Sequence, residues 1–169
     1  YNLIKQNMKT KPFTFSFQRL FIVATFSISS AMGFSQTNVF DDVISQSSNH
    51  TALTAAINAA GLSSALQDGN STLTVFAPTD AAFTVLAQQL GVGMSDLLAL
   101  PNLSDVLLYH VLGTSVPSSL VTNGAILTPL NTDNTLKFTL TSTGSVYANQ
   151  ALVTTADLNT DNGVVHVID

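Results

Sequence analysis

The feature that most constrains this chain is the absence of cysteine from all 169 residues. Without cysteine there are no disulfides, no thiolate zinc sites and no cysteine nucleophile. The fold must therefore be held together by its hydrophobic core alone. Apolar residues make up 46% of the sequence, and the chain from residue 36 onward is long enough to enclose one core of ordinary size.

Charge is scarce and unevenly placed. Only 9% of the residues are charged, against about 25% in an average soluble domain. From residue 36 onward a single cation, Lys137, stands against ten aspartates, which gives this part a formal net charge of −9. Such a domain cannot neutralise a row of phosphates, so nucleic acid is a poor partner, and anionic membrane surfaces are disfavoured for the same reason. Its apolar content also excludes a disordered acidic tail.

The first 35 residues have the composition of an export signal. A basic stretch opens at Met8, an apolar run covers residues 20–28, and small residues follow. This order is typical of a cleaved secretory peptide, whereas a membrane span needs about 20 apolar residues. We predict that residues 1–35 are an N-terminal leader and that the true start of the protein is Met8. The signal peptide is expected to be cleaved after Gly33 or Ser35. The expected location is periplasmic, cell-surface or extracellular, without membrane insertion after cleavage.

The rest of the chain, residues 36–169, has no linker or internal repeat and is predicted to form one domain. Helical periodicity and capping residues dominate its first half, and Thr- and Val-rich runs separated by turn residues dominate the second. Predicted helices cover residues 39–44, 51–60, 80–90, 96–100 and 101–108. Predicted strands cover residues 72–77, 125–130, 135–141, 145–148, 151–156 and 163–168. Helices followed by strands indicate an α+β domain.

Three separated stretches resemble one known family. Residues 74–83 resemble the first signature segment of the fasciclin domain family, residues 162–169 its second segment, and residues 109–112 its Tyr-His element. The resemblance implies helices packed beside a wedge-shaped β-sandwich of about seven strands. Within the family, the sequence most resembles a bacterial-type, secreted, single-domain member. Because the sequence stops directly after a strand, at Asp169, the domain is expected to be incomplete at its C-terminus.

The resemblance also implies a function. Members of the family are extracellular, surface-attached or matrix proteins that serve in adhesion and are not generally enzymes. The expected function is therefore an exported, non-enzymatic adhesion or matrix-interaction domain whose partner is a surface or matrix protein or a glycan. The alternative is a secreted polysaccharide-binding module, for which Tyr109 and Tyr147 would be the tyrosine platforms. Oligomeric state is left open.

Two pairs of residues are candidates for partner binding. In some animal members an Asp-Ile pair just ahead of the second segment is implicated in integrin binding, and Asp157-Leu158 stands at that position here. The second pair is Tyr109-His110. Since neighbouring side chains of an extended segment point to opposite faces, one of these two is expected in the core and the other at the surface.

Five further residues are assigned structural roles within the two signature segments. Thr79 and Asp80 are predicted to open and cap a helix, and Asn162-Gly163 is predicted to make a tight hairpin turn. His166 is predicted to be half-buried and hydrogen-bonded to the Thr-rich first segment, because a buried polar group needs a partner. The alternative for His166 is a general base or ligand.

Neither a metal nor a cofactor nor a catalytic residue is predicted. The alternation of Asp157, Asn159 and Asp161 resembles a calcium loop, but the EF-hand pattern needs Gly at position six and Glu at position twelve, where Asn162 and Ile168 stand. A weak calcium site stays open. The sequence also contains no nucleophile elbow, no Ser-x-x-Lys motif and no phosphate-binding loop.

Overall fold

The computed structural model describes residues 36–169, so the predicted export signal in residues 1–35 lies outside the described part. Helices dominate the first half of this part, with a strand at 73–78 among them, and strands dominate the second half, as the sequence predicts. The helices are a π-helical segment Val39–Ile44, α1 Thr51–Ala59, α2 Ser63–Gln67, α3 Asp80–Leu90, α4 Met94–Leu98, α5 Leu103–Tyr109 and a 3₁₀ turn Ser118–Leu120. The strands are β1 Leu73–Pro78, β2 Val111–Leu112, β3 Ile126–Leu127, β4 Leu136–Leu140, β5 Val146–Ala148, β6 Ala151–Thr160 and β7 Gly163–Ile168.

All seven strands join in one order, β2-β1-β7-β6-β5-β4-β3. The pair β1 and β7 is parallel from Leu73 opposite Gly163 to Pro78 opposite Ile168, and every other pairing is antiparallel. These two strands are the predicted signature segments, and their near-continuous apolar runs suit strands that are covered on both faces. The α+β class and the seven strands expected from the resemblance are confirmed.

The core has two parts, one on each side of β1. Val75 and Ala77 point into a cluster shared with the helices, and Phe76 points into a second cluster formed with the strands of the C-terminal half. This alternation follows from the period of two in a strand. In the second cluster the Phe76 ring lies 5.7 Å from the ring of Phe138.

Several element boundaries differ from the prediction. The helix α2 and the two-residue strand β2 were not predicted, because short elements of this kind form through tertiary contacts rather than through their own periodicity. The predicted strand at 125–130 is reduced to Ile126–Leu127. Strand β6 continues to Thr160, beyond its predicted end at residue 156, and it accommodates register shifts between Val153 and Thr155 and between Thr155 and Leu158.

The side chain of Asn162 joins three separate elements at the β6–β7 turn. Its Oδ1 accepts hydrogen bonds from the backbone N–H of Val39, at 2.9 Å, and from the Thr160 hydroxyl, at 3.1 Å. Its Nδ2 donates to the carbonyl oxygens of Leu66, at 2.8 Å, and Asp68, at 3.2 Å. Only 1% of Asn162 is exposed. The turn, the π-helical segment and the end of α2 are therefore held by one buried amide.

The predicted hairpin turn is present, but Gly163 is not one of its turn residues. The turn residues are Asp161 and Asn162, and Gly163 is the first residue of β7. A Cβ at Gly163 would overlap the carbonyl oxygen of Leu73 on the neighbouring strand. Glycine is required here because the backbones of β1 and β7 approach each other closely.

We expect Asn162→Ala to lower the free energy of unfolding by at least about 3 kcal/mol, because buried backbone donors and acceptors lose their partner. Urea unfolding at neutral pH measures the change. Asn159→Ala is the matched control, since Asn159 is exposed on the same hairpin and, within residues 36–169, its side chain bonds only to the carbonyl of Asp157. Equal losses in the two variants would contradict the role given to Asn162.

We expect Gly163→Ala to destabilise the fold by about 3 kcal/mol, since the added methyl group meets rigid backbone. Gly113→Ala is the control, because its Cβ would meet only the flexible end of Leu130, at 3.2 Å, and should cost less than about 1 kcal/mol. Thermal unfolding of the two variants measures the difference. A Gly163→Ala protein as stable as the Gly113→Ala protein would show that β1 and β7 can move apart freely.

Candidate interaction surface

The Asp157-Leu158 pair lies on β6 and is largely engaged inside the molecule. Asp157 adopts a left-handed backbone conformation, with φ of 61°. One carboxylate oxygen accepts a hydrogen bond from the backbone N–H of Ser118 at 2.7 Å, and the other accepts one from the Ser118 hydroxyl. These bonds keep the pKa of Asp157 below its usual value. Leu158 is partly buried against the helix-side core.

His166 is more deeply buried than predicted and has different partners. Only 3% of the residue is exposed, and its ring stacks on Phe76 with the centroids 5.4 Å apart. Its Nε2 lies 2.9 Å from the carbonyl oxygen of Val116, and its Nδ1 accepts a hydrogen bond from the backbone N–H of Asp157 at 3.2 Å. Nε2 must therefore carry the proton. The predicted hydrogen bond to the first signature segment is wrong.

Phe76 of the first segment stacks directly on His166, but the polar Thr74 reaches it only indirectly, through the loop that follows β2. The buried Thr74 hydroxyl donates to the carbonyl of Thr114 at 2.6 Å and accepts from the N–H of Val116 at 2.8 Å. Val116 is thus held by Thr74 on one side and by His166 on the other. Thr74 of the first segment and His166 of the second therefore both hold this loop in place. These polar side chains have a structural role.

The Tyr109-His110 pair does not form an extended segment. Tyr109 is the last residue of α5 and His110 caps its C-terminus, so the prediction of opposite faces is wrong. Both residues are half-buried, and their rings meet edge to face with centroids 5.6 Å apart. The two side chains form one corner between α5 and the strands, which we call the Tyr109 corner.

Tyr109 is fixed through its hydroxyl group. The hydroxyl donates to the carbonyl of Thr135 at 3.3 Å and accepts a hydrogen bond from the amide of Asn149. Asn149 in turn accepts from the backbone N–H of Lys137 at 2.9 Å and has a left-handed backbone, with φ of 56°. The sequence signal for this partner is a turn between the predicted strands 145–148 and 151–156, but its contact with Tyr109 spans 40 residues.

His110 presents one nitrogen to its surroundings. Its Nδ1 lies 2.7 Å from the carbonyl oxygen of Val106, an atom that can only accept, so Nδ1 carries the proton. Burial lowers the pKa of His110 below its usual value and outweighs the opposite effect of this hydrogen bond. The imidazole is therefore neutral at pH 7, and its Nε2 is a hydrogen-bond acceptor.

The Tyr109 corner forms one wall of an open cleft of about 600 Å³. Apolar residues Phe76, Leu136, Ala148 and Ile168 line the cleft in its interior. Polar residues also line it, and they are Lys137, Thr139, Asn149 and Gln150. This combination of an apolar interior with a few polar groups is typical of sites that bind small ligands or ligand segments.

A second depression of about 530 Å³ has a different character. It lies among α3, α4, α5 and the end of β7, and it is lined almost entirely by apolar residues. Leu86, Leu90 and Val106 are 38–53% exposed around it. Such a surface offers few polar groups that could orient a polar ligand.

Thr79 and Asp80 perform capping, but for two different helices. Thr79 caps α3 by accepting from the N–H of Ala82, as predicted. Asp80 instead accepts from the hydroxyl of Thr51 at 2.7 Å and the N–H of Ala52 at 2.8 Å, which caps α1. Burial acts to raise the pKa of Asp80, but these bonds outweigh it and lower the pKa below the usual value.

His50 lies beside this cap and is buried, with 6% of its surface exposed. Its Nδ1 lies 2.7 Å from the hydroxyl of Ser47. Its Nε2 is the one buried side-chain polar atom without a partner within residues 36–169. Burial lowers the pKa of His50 and outweighs the nearby Asp80, which acts to raise it.

Residues 36–169 hold neither a metal-binding cluster nor a helix fit to span a membrane. No group of three or more acidic or histidine residues within 36–169 is arranged to hold a metal ion, and Asp161 of the alternating acidic stretch accepts from the N–H of Thr37. None of the helices in this part of the chain combines the length and the apolar character that a membrane span requires.

Comparison with known proteins identifies the family. The model of the Fasciclin domain family matches residues 48–169. The chain belongs to the fasciclin family. Domains of this family are generally non-enzymatic, are typically extracellular or at the cell surface, and are known for adhesion-related roles.

Relatives and a solved structure agree with this assignment. Protein sll1483 of Synechocystis sp. is 34% identical over 132 residues, which are 76% of this chain and 69% of the relative. The uncharacterized protein sll1735 of the same organism is 31% identical over 135 residues, which are 78% of this chain and 94% of the relative.

The solved structure is a FAS1 domain pair from the insect cell adhesion molecule Fasciclin I. It matches with a TM-score of 0.66 at 15% identity, over 79% of this chain. This chain spans about half of that structure, 49% of its length. At this identity the match establishes the fold alone.

We expect the free energy of unfolding to fall as the pH is lowered from 7.5 to 5. The unfolded chain takes up protons on histidine near pH 6.5, whereas burial keeps His50 and His110 neutral in the folded state to a lower pH. The aspartates with lowered pKa, Asp80 and Asp157, act in the opposite sense and lose their stabilising effect only below about pH 4.

Urea unfolding at several pH values measures this dependence. The double variant His50→Gln/His110→Gln should show a flatter profile between pH 7.5 and 5 than the unchanged protein. Identical profiles would show that these two imidazoles take up protons in the folded protein as readily as in the unfolded chain, which would contradict the prediction.

Proposed function

We propose that this fasciclin protein is an exported, non-enzymatic adhesion or matrix-interaction domain whose contact surface is centred on the Tyr109 corner. The observation that carries the proposal is the open cleft beside that corner, with a fixed aromatic ring at its wall. Export is supported by the predicted signal in residues 1–35 and by the usual location of the family.

The strands of the two signature segments, β1 and β7, are poor candidates for the contact surface. Strand β7 is buried throughout and β1 is buried up to Ala77. Apart from Phe76 and Ile168, which line the interior of the cleft, their buried side chains are closed to a partner. Asp157 uses both carboxylate oxygens on Ser118, and a partner would have to compete with those bonds. Tyr109 and His110, in contrast, are half-buried at the wall of the cleft and keep accessible ring surface.

The corner has the physical character of an interaction anchor. Aromatic residues dominate binding energy when their rings are held rigid and can be desolvated by the partner. Tyr109 loses little further freedom on binding, because Thr135 and Asn149 already fix its hydroxyl. Val106, one turn earlier on α5, is 38% exposed and extends the apolar part of the surface.

The charge of the domain restricts the partner. With ten aspartates and one lysine after residue 35, the domain repels polyanions and tolerates neutral or basic surfaces. A surface or matrix protein, or a glycan without strong negative charge, meets this condition. The pair Asp157-Leu158 stays a second candidate contact, on the strength of the position it shares with the Asp-Ile pair of some animal members.

We expect Tyr109→Ala to weaken adhesion at least tenfold, since aromatic anchors typically contribute about 2 kcal/mol or more. Binding of the purified protein is measured on an array of matrix proteins and polysaccharides. Tyr147→Ala is the matched control, because it also removes a half-buried tyrosine from a strand-side surface but lies outside the cleft.

The variant Asp157→Ala/Leu158→Ala tests the second candidate contact. Urea unfolding checks that this variant still folds. Loss of binding in this variant, with Tyr109→Ala unaffected, would move the contact surface to β6. Absence of binding to every protein and polysaccharide on the array would overturn the adhesion function itself.

A further inference from the structure

We propose that the cleft beside the Tyr109 corner is a binding site for a neutral carbohydrate, with His110 Nε2 as its hydroxyl acceptor. This inference rests on the proposed function and names the ligand class of the same surface. It commits to a sugar chain without carboxylate or sulfate groups. A peptide or an acidic polysaccharide becomes an outcome of the test.

The size and interior of the cleft suit a sugar ring. Its volume of about 600 Å³ lies within the range of roughly 300–1,000 Å³ that small-ligand sites occupy. Phe76, Ala148 and Ile168 supply apolar surface, and the Tyr109 ring stands at the wall. A hexose has C–H faces that need such surface and hydroxyl edges that need polar partners, and the cleft provides both.

His110 supplies the acceptor. Because Nδ1 donates to Val106, the free Nε2 can only accept. Among residues 36–169 the single buried, unpartnered side-chain polar atom belongs to His50, so the Nε2 of His110, which has no protein partner, is reached by solvent. A hydroxyl group is the natural donor for this atom.

Gln150, at the β5–β6 turn, and Lys137, on β4, supply the donors. Gln150 is exposed and its amide makes no hydrogen bond to residues 36–169, so both its donor and its acceptor are available. Lys137 borders the cleft as the sole cation of the mature chain. Asn149, between them, is already committed to Tyr109 and to the backbone of Lys137 and positions the turn.

Electrostatics select against acidic sugars. One lysine cannot offset the field of ten aspartates over an extended anionic chain. A neutral ligand avoids this repulsion and still uses every polar group described. A peptide would meet the apolar interior equally well, but its backbone donors and acceptors would need extended strand-like partners, which the cleft wall at the end of α5 does not offer.

Binding of neutral and acidic oligosaccharides to the purified protein, by array and then by titration calorimetry, tests the proposal. We expect neutral oligosaccharides to bind and uronate-containing ones not to bind. Gln150→Ala should weaken binding about fivefold, as expected for one neutral hydrogen bond. This residue is exposed on a turn, so the variant should fold.

A pair of substitutions isolates the acceptor. In His110→Asn the amide nitrogen can replace Nδ1 and keep the bond to Val106, but no atom replaces Nε2. In His110→Gln the amide can place an oxygen near the position of Nε2. We expect binding to be lost in the first variant, by tenfold or more, and retained in part in the second. Equal binding in both would overturn the role of Nε2.

The outcomes separate this inference from the proposed function. Adhesion to matrix proteins without binding of any oligosaccharide would overturn the carbohydrate site and leave the adhesion function. Binding of acidic oligosaccharides only would also overturn it. Binding of neutral oligosaccharides unaffected by Gln150→Ala and His110→Asn would place the carbohydrate elsewhere on the domain. Absence of every kind of binding would overturn both proposals.

Discussion

The parallel pairing of β1 with β7 is the interaction on which the rest of this structure depends. It joins segments about 90 residues apart in the sequence and runs in register from Leu73 opposite Gly163 to Pro78 opposite Ile168. One face of β1 meets the helices, and the other meets the remaining strands. Gly163 permits the close approach, and Asn162 secures the turn beside it. Without cysteine, this buried pairing takes the place that cross-links hold in many small exported domains.

The same pairing positions the candidate surface. Strand β2 pairs with β1, and the backbone N–H of Phe76 donates to the carbonyl of His110 at 2.8 Å. The end of α5 is therefore fixed directly to β1, which sets the position of Tyr109 and His110. The polar residues of the signature segments are used to hold neighbouring loops, as Thr74 and His166 hold Val116. The side chains of the proposed contact residues, Tyr109 and His110, take no part in holding this loop.

The sequence predicts the elements that carry their own signal. Strands β1 and β7 are long apolar runs, and α3 has a capping Thr79, a regular apolar stripe and Gly91 in the left-handed conformation at its end. The site is harder to predict, because its contacts are made by residues distant in sequence. Asp157 meets Ser118 across 39 residues, and Tyr109 meets Asn149 across 40. Local propensity carries no information on such contacts, so an alternation rule placed Tyr109 and His110 on opposite faces when a helix end holds them together.

Rigidity links the stability of this domain to its proposed recognition. The ring of Tyr109 is fixed at its hydroxyl by two groups from separate strand connections, and the ring of His110 is fixed at Nδ1 by its own helix. A surface held in this way adds little entropic cost on binding, so affinity depends on how well the ligand matches a preformed shape. A domain with one cation cannot rely on electrostatic attraction to gather partners. With so little charge, the domain can recognise a ligand mainly by fitting its shape and apolar surface to this rigid, largely apolar cleft.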